Sequence, residues 1–163
     1  MGIELKTTRL SRNGKMRTPT RSTLFSQVPD VGMKYREIVE KYGKVQVPRG
    51  SSEARLQLYQ TFRVSRPNAY GLVLDVNENA DRLDMEYQDD KRSYVASWTM
   101  KLLKERLRTK HPETFWVGAT SEMIDGVEYF RYVRVMHTKN PNASLLGPLL
   151  EADKVTLDLA AHF

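Results

Sequence analysis

The chain has 163 residues, a formal net charge of +6 and no cysteine, so it has neither a disulfide framework nor a thiolate metal site. Its length fits one domain with a substantial hydrophobic core. No apolar run reaches the roughly 20 residues of a membrane span or follows Met1 as a signal peptide would, so we expect a cytoplasmic protein without a membrane partner.

Positive charge is concentrated near the start of the chain. Residues 1–22 carry a local excess of five positive charges, whereas the remainder has 20 basic and 19 acidic side chains. The basic residues of this segment are Lys6, Arg9, Arg12, Lys15, Arg17 and Arg21. They are interleaved with Ser, Thr, Asn and Gly, which also donate to phosphate oxygens, so the segment indicates contact with a nucleic-acid backbone. A basic disordered arm without a specific partner is the alternative that charge leaves open.

The first predicted strand covers residues 2–7. In it Ile3 and Leu5 alternate with Glu4 and Lys6, which places a carboxylate and an ammonium group on one face. A metal-dependent phosphodiesterase uses this arrangement, because the carboxylate holds a divalent ion and the lysine lies beside the attacking water. A solvated edge strand with two surface charges is the other interpretation of this tripeptide.

Short elements separated by turn-forming residues follow in the first half of the chain. The patterns predict a loop at 8–21, a strand at 22–27, a helix at 33–43 and a loop at 44–54. The helix has apolar residues at i, i+3, i+4 and i+7 from Tyr35 and ends at Gly43. The last loop adds the basic residues Lys44 and Arg49 to the candidate nucleic-acid contacts.

The second half of the chain contains the longer elements. We predict a strand at 56–64, a hairpin of 70–76 and 83–87, a helix at 98–111, strands at 114–120 and 127–137, a short helix at 145–153 and a strand at 155–159. The strand at 127–137 is apolar on both faces, which is typical of a central strand. Arg131 and Arg134 interrupt it and predict either an internal salt bridge or, with His137 and Lys139, contact with nucleic acid. The three histidines are too scattered to indicate a zinc motif.

Eight segments carry a resemblance that extends over nearly the whole chain. They are Gly-Ile-Glu-Leu-Lys at 2–6, Ser-Thr-Leu-Phe at 22–25, Arg-Glu-Ile-Val-Glu-Lys-Tyr-Gly at 36–43, Ser-Arg-Pro-Asn at 65–68, Ala-Ser-Trp at 96–98, Lys-His-Pro at 110–112, Asp-Gly-Val-Glu-Tyr-Phe-Arg-Tyr at 125–132 and Leu-Leu-Glu-Ala-Asp-Lys-Val-Thr-Leu-Asp at 149–158. In this order they resemble the MvaI/BcnI-type restriction endonucleases, which belong to the PD-(D/E)xK nucleases and are related to MutH. The resemblance implies a mixed α/β fold, with a central mixed sheet flanked by helices, in one domain over residues 1–163.

The resemblance also implies an activity. It implies a Mg²⁺-dependent type II restriction endonuclease that hydrolyses phosphodiester bonds of double-stranded DNA. Such an enzyme acts as a monomer in the cytoplasm of a prokaryotic cell or phage-infected host. Glu4 matches the metal-binding glutamate of the family, and Lys6 matches its catalytic lysine. The basic residues named above then become candidate DNA contacts.

The sequence departs from the family pattern in two places, and these departures change the activity that we expect. The family's catalytic aspartate lies a few residues before Glu-x-Lys, whereas only Met1, Gly2 and Ile3 precede Glu4 here. The family also continues beyond its last strand into a segment with base-reading arginines. We therefore expect a domain without these two segments and a poor nuclease, unless a missing segment or a second chain completes the site. A catalytically inactive DNA-binding remnant and a basic α/β domain of unrelated function are the alternatives.

Overall fold

The computed structural model describes residues 3–10, 22–48 and 50–162, which form a mixed α+β fold, as predicted. The strands are β1 (Glu4–Arg9), β2 (Ser22–Ser26), β3 (Val31–Gly32), β4 (Lys44–Gln46), β5 (Arg55–Phe62), β6 (Leu72–Asn77), β7 (Arg82–Tyr87), β8 (Ser93–Thr99), β9 (Glu113–Ile124), β10 (Val127–Lys139) and β11 (Val155–His162). The helices are α1 (Tyr35–Tyr42), α2 (Met100–Lys110) and α3 (Leu146–Glu151). None of the helices in the described ranges is long and apolar enough to cross a membrane.

The described residues fall into two compact units. The three-stranded unit takes its residues from Met1–Thr20 and Arg106–Ala143, and its sheet has the order β1-β9-β10. The two-sheet unit takes its residues from Arg21–Glu105 and Ser144–Phe163, and its sheets have the orders β2-β11-β5-β4 and β3-β8-β7-β6. Parallel and antiparallel pairs occur together in the first two of these three sheets, so the expected mixed sheet character is present.

In the three-stranded unit β1 lies parallel to β9, and β9 and β10 form an antiparallel hairpin. The hairpin turns at Asp125-Gly126, whose φ angles of 50° and 78° are the positive values that a tight two-residue turn requires. The sequence predicted this turn. The predicted loop at 8–21 was wrong at its start, because β1 continues to Arg9, and Leu10 N donates to Ala119 O at 2.8 Å.

The predicted central position of the strand at 127–137 was wrong. β10 lies at an edge of its sheet, next to β9, and every one of its residues is exposed. Aromatic and β-branched side chains favour any pleated strand, so their presence on both faces predicts the strand and not its burial. A β-bulge between Tyr132 and Arg134 also breaks the simple alternation of faces along β10.

The two-sheet unit contains the largest buried side chains of the described chain. Trp98 is fully buried, its ring lies 6.3 Å from that of Phe62, and its Nε1 donates to Gln27 O at 2.9 Å. The hairpin predicted at 70–76 and 83–87 is confirmed as β6 and β7. Apolar side chains on both faces of β6 and on one face of β7 are buried in this core, which burial of apolar area stabilises.

Two boundaries in the two-sheet unit differ from the prediction. Trp98 was expected in a helix, yet Ser93–Thr99 form the strand β8, and α2 begins only at Met100. The Asp30 carboxylate accepts from Thr99 N at 2.8 Å and from Thr99 Oγ1 at 2.7 Å, which fixes the junction where strand meets helix. No turn residue separates the two elements, so the sequence offers no break there. Residues 44–46, expected in a loop, form β4 against β5.

The helix predicted at 33–43 is confirmed as α1, with Ile38 and Val39 fully buried. Gly43 N donates to Val39 O at 2.8 Å, and a Cβ atom on Gly43 would lie 2.3 Å from that oxygen. A glycine is therefore required where the chain leaves the helix.

Candidate active site

The alternation predicted for β1 is present, and its charged face is the sheltered one. The side chains of Glu4 and Lys6 are 34% and 25% exposed, whereas Ile3 and Leu5 are 60% and 65% exposed. Glu4 Oε1 lies 3.8 Å from Lys6 Nζ. This distance permits an electrostatic attraction but exceeds that of a direct hydrogen bond, so the carboxylate oxygen stays available for another ligand.

Parallel pairing with β9 supplies the neighbours of this pair. Glu4 lies opposite Thr114, and Lys6 lies opposite Trp116. Lys6 Nζ is 5.1 Å from the centroid of the Trp116 ring, a cation–π distance that orients the ammonium group. Trp116 Nε1 in turn donates to Thr138 Oγ1 at 3.1 Å on β10. All three strands of the sheet therefore contribute to the position of the lysine.

His111 completes the surroundings of the carboxylate. It follows the last residue of α2, with His111 N donating to Leu107 O at 2.9 Å. Its Nδ1 lies 2.5 Å from Glu4 Oε2, a close contact that lacks the alignment of a good hydrogen bond, and its side chain is only 10% exposed. The hydroxyl of Thr114, buried beside Glu4, has no hydrogen-bond partner in the described part of the chain. His111 thus lies against one carboxylate oxygen, and the other lies 3.8 Å from the Lys6 ammonium nitrogen.

The bulge in β10 brings Arg131 and Arg134 onto one face. Arg131 lies opposite Thr120 and Arg134 opposite Gly118, both on the face of β9 that also carries Trp116. In a regular strand two residues three positions apart point to opposite faces, so the extra residue at 133 is what brings these two arginines onto the same face. Both are exposed, and neither forms a salt bridge within the described ranges, so the predicted internal salt bridge is not seen.

His137 and Lys139 lie on the other face of the same strand. His137 is stacked on Phe115 with ring centroids 4.4 Å apart, and its Nε2 lies 2.8 Å from Glu113 Oε1. Lys139 is opposite Glu113 in the strand register. The four basic residues predicted to act together on this strand are therefore divided between the two faces of the sheet.

The other candidate DNA contacts are distributed as follows. Lys44 lies on β4 in the two-sheet unit, with its Nζ 4.7 Å from the centroid of the Tyr70 ring. The side chain of Arg9 lies outside the described part of the structure, as do the residues Arg12, Lys15, Arg17, Arg21 and Arg49.

Sequence reasoning missed His111, Thr114 and Trp116. The available signal was the Lys-His-Pro segment just before a strongly predicted strand, which places a histidine at the entry of the strand that pairs with β1. Within the described residues no group of three or more acidic or histidine side chains could hold a metal ion. Glu4 is the acidic residue of β1, and carboxylate oxygens are among the ligands that Mg²⁺ accepts.

Comparison with known proteins identifies the family to which this chain belongs. The model of the MvaI/BcnI restriction endonuclease family matches residues 1–162. No curated protein matches the chain by sequence.

Two solved structures of restriction endonuclease MvaI share the fold. The complex of MvaI with its cognate DNA substrate has a TM-score of 0.69 and 19% identity, covering 97% of this chain and 63% of that chain. MvaI without DNA has a TM-score of 0.58 and 16% identity, covering 97% of this chain and 69% of that chain. This chain thus spans about two thirds of the length of the solved proteins it resembles. The fold agrees with the restriction-endonuclease-like class expected from the sequence, and the family match extends along almost all of the residues. The chain belongs to the MvaI/BcnI restriction endonuclease family.

Proposed function

We propose that this chain is a metal-dependent endonuclease domain that hydrolyses phosphodiester bonds of double-stranded DNA. One observation carries the proposal: in a member of this family, Glu4 and Lys6 lie on one sheltered strand face with Glu4 Oε1 3.8 Å from Lys6 Nζ. The solved complex of a relative with its cognate DNA substrate supports DNA as the partner.

Glu4 fits the role of a metal ligand. Mg²⁺ in phosphate-processing sites is usually held by one or two carboxylates together with water and substrate phosphate, so one carboxylate on β1 is a reasonable contribution. The Oε1 atom is the oxygen left for this role, because Oε2 contacts His111. When bound, Mg²⁺ supplies Lewis-acid activation of the phosphodiester and of the attacking water.

The chain's own groups prepare the site for that chemistry. Lys6 places a positive charge beside the carboxylate, where it stabilises negative charge that develops on the phosphate. The Trp116 ring and the Thr138 hydroxyl restrict where that ammonium group lies. On the same sheet face, Arg131 and Arg134 carry exposed guanidinium groups that suit bidentate contacts to phosphate oxygens. We infer that this face of the three-stranded unit approaches the DNA backbone.

A DNA-binding protein without catalytic activity is the second candidate. It is favoured by the contacts that Glu4 already makes, because both carboxylate oxygens lie near cationic or histidine side chains of the same chain. In this alternative Glu4 is a structural carboxylate that lies against Lys6 and His111, and the basic residues retain their affinity for DNA.

A plasmid nicking assay separates the two candidates. Conversion of supercoiled plasmid to nicked circles should require Mg²⁺, and both Glu4→Gln and Lys6→Ala should reduce the initial rate at least 100-fold, the scale on which removal of one electrostatic catalytic group acts. The exposed residues Glu151 and Lys101 provide matched controls. Glu151→Gln and Lys101→Ala should nick at the rate of the unaltered chain.

The contradicting results are distinct. DNA binding without nicking in Mg²⁺ would support the second candidate and reject the nuclease proposal for this chain. Nicking that survives Glu4→Gln and Lys6→Ala would show that other residues carry the reaction. Circular dichroism of each variant establishes that it is folded before rates are compared.

A further inference from the structure

The two-sheet unit contains a cavity of about 460 Å³ that the candidate active site does not use. Its polar lining includes Tyr59, Thr61, Arg63, Arg66 and Asn68. None of its lining side chains in the described part of the chain is acidic. The cavity is large enough for a phosphate group with the sugar attached to it, and its chemistry is that of a donor-rich, cationic recess.

Local structure places the two arginines on one short connection. Arg63 follows the last residue of β5, and its carbonyl accepts from Leu74 N at 2.8 Å, which ties the connection to β6. Arg66 precedes Pro67, and a following proline restricts a residue to extended backbone conformations. The backbone of Arg63 is therefore fixed by its hydrogen bond to β6, and that of Arg66 is restricted by the following proline.

Asn68 adds a neutral donor to the same recess. Its Oδ1 accepts from Tyr70 N at 2.9 Å and from Leu72 N at 3.0 Å, which fixes the orientation of the side-chain amide. Its Nδ2 is buried and has no hydrogen-bond partner among the residues that the structure describes. A buried donor without a partner is unusual, and an oxyanion at the cavity wall would provide an acceptor for it.

The charges around the cavity leave the arginines available. Neither Arg63 nor Arg66 forms a salt bridge in the described ranges. Two carboxylates that contact this part of the chain accept from hydroxyl groups: Asp158 Oδ1 accepts from Thr61 Oγ1 at 2.7 Å, and Asp153 Oδ2 accepts from Ser65 Oγ at 2.8 Å. Two planar guanidinium groups without carboxylate partners among the described residues, beside an amide donor, can each donate two hydrogen bonds to a pair of phosphate oxygens.

We propose that this cavity binds a phosphate group of the DNA backbone, through Arg63 and Arg66 with Asn68 as a further donor. The proposal rests on the proposed DNA-cleaving function and adds a contact remote in sequence from Glu4 and Lys6. A phosphate at this position fixes the register of the domain on the duplex and carries no sequence information itself. A free phosphate or mononucleotide presents the same chemistry, so the experiment has an arm for each source.

The first arm measures DNA binding by fluorescence anisotropy with Ca²⁺ in place of Mg²⁺, between 50 and 200 mM salt. Each phosphate contact contributes about 0.9 to the magnitude of the slope of log affinity against log salt. Because Arg63→Gln/Arg66→Gln removes one such contact, it should lower that magnitude by about 0.9 and reduce the DNA affinity about eightfold at 0.1 M salt. The charge-retaining variant Arg63→Lys/Arg66→Lys should keep most of the slope. Arg36→Gln is the matched control, because Arg36 is exposed on α1 and is paired with Glu40 at 3.1 Å.

The second arm titrates inorganic phosphate while NMR follows the Asn68 side-chain amide. The proposal is overturned if Arg63→Gln/Arg66→Gln binds DNA with the wild-type salt dependence and phosphate causes no NMR shift of the Asn68 side-chain amide. A phosphate response that the double variant loses, combined with unchanged DNA binding, would assign the cavity to free phosphate and reject DNA as its ligand. If the unaltered chain does not bind DNA, the proposed function fails, and the phosphate arm still decides whether the cavity is an anion site. Thermal unfolding of each variant shows that it retains the fold.

Discussion

His111 is the residue that tests the candidate active site most directly, because it contacts the proposed metal ligand and was not among the predicted site residues. The change is His111→Gln, which keeps a hydrogen-bonding side chain but removes the imidazole and has no polar atom at the position of Nδ1. Its Nδ1 lies 2.5 Å from Glu4 Oε2, and its side chain is 10% exposed, so solvent screens this contact less than it screens an exposed ion pair. The variant should therefore release Glu4 from a defined position.

The expected loss of metal affinity follows from the position of His111 beside the proposed metal ligand. Residues that hold a metal ligand in place typically contribute about 10- to 100-fold to metal affinity or activity, which corresponds to about 1.4–2.7 kcal/mol. We expect His111→Gln to raise the Mg²⁺ concentration needed for half-maximal nicking by at least tenfold. Binding of Mn²⁺ measured by isothermal titration calorimetry should weaken by a similar factor and does not depend on turnover.

His137→Gln is the comparison variant. His137 also contacts a carboxylate, Glu113 Oε1 at 2.8 Å, but on the opposite face of the same sheet and with a side chain that is 38% exposed. It should leave the metal dependence unchanged, whatever it does to DNA affinity. Equal metal affinities of the wild-type chain and His111→Gln would refute the role that we assign to His111. Equal losses in the two histidine variants would indicate a general loss of structure.

Two further predictions address DNA binding and pH. Arg131→Ala should weaken DNA affinity and lower the salt slope by about 0.9 with little change in melting temperature, because the residue is exposed on β10; a large loss of stability with unchanged affinity would contradict this. The pKa of Glu86 is raised from its ordinary value of 4.5 by burial and, next, by the charge of Asp75, so the folded state binds the proton more tightly than the unfolded chain. The free energy of unfolding should therefore fall as pH rises from about 4.5 through the folded-state pKa. Glu86→Gln should remove that part of the decline in urea midpoints measured from pH 4 to 7, and an unchanged pH profile would contradict the assignment.

Family, fold class and the strand that carries Glu4 and Lys6 could be inferred from the sequence. Strand alternation follows from the stereochemistry of the extended backbone, so the shared face of Glu4 and Lys6 needed no knowledge of their neighbours. The turn at Asp125-Gly126 was equally local, because these residue types tolerate positive φ. Membership in the MvaI/BcnI family rested on segments whose order along the chain the family model confirms.

The sequence failed to predict those features that depend on the pairing of segments distant in the chain. The sequence could not show that His111 lies beside Glu4, because parallel pairing of β1 with β9 brings them together. It could not show the bulge that puts Arg131 and Arg134 on one face, since the bulge is defined by one strand having an extra residue relative to its partner.

Local pattern thus determined that Glu4 and Lys6 share one face of β1. Tertiary structure alone decided that β10 is an exposed edge strand, that Trp98 belongs to a strand, and that a histidine lies against the Glu4 carboxylate. The physical reason is that burial and hydrogen-bond pairing are properties of two segments at once, whereas periodicity and turn chemistry are properties of one.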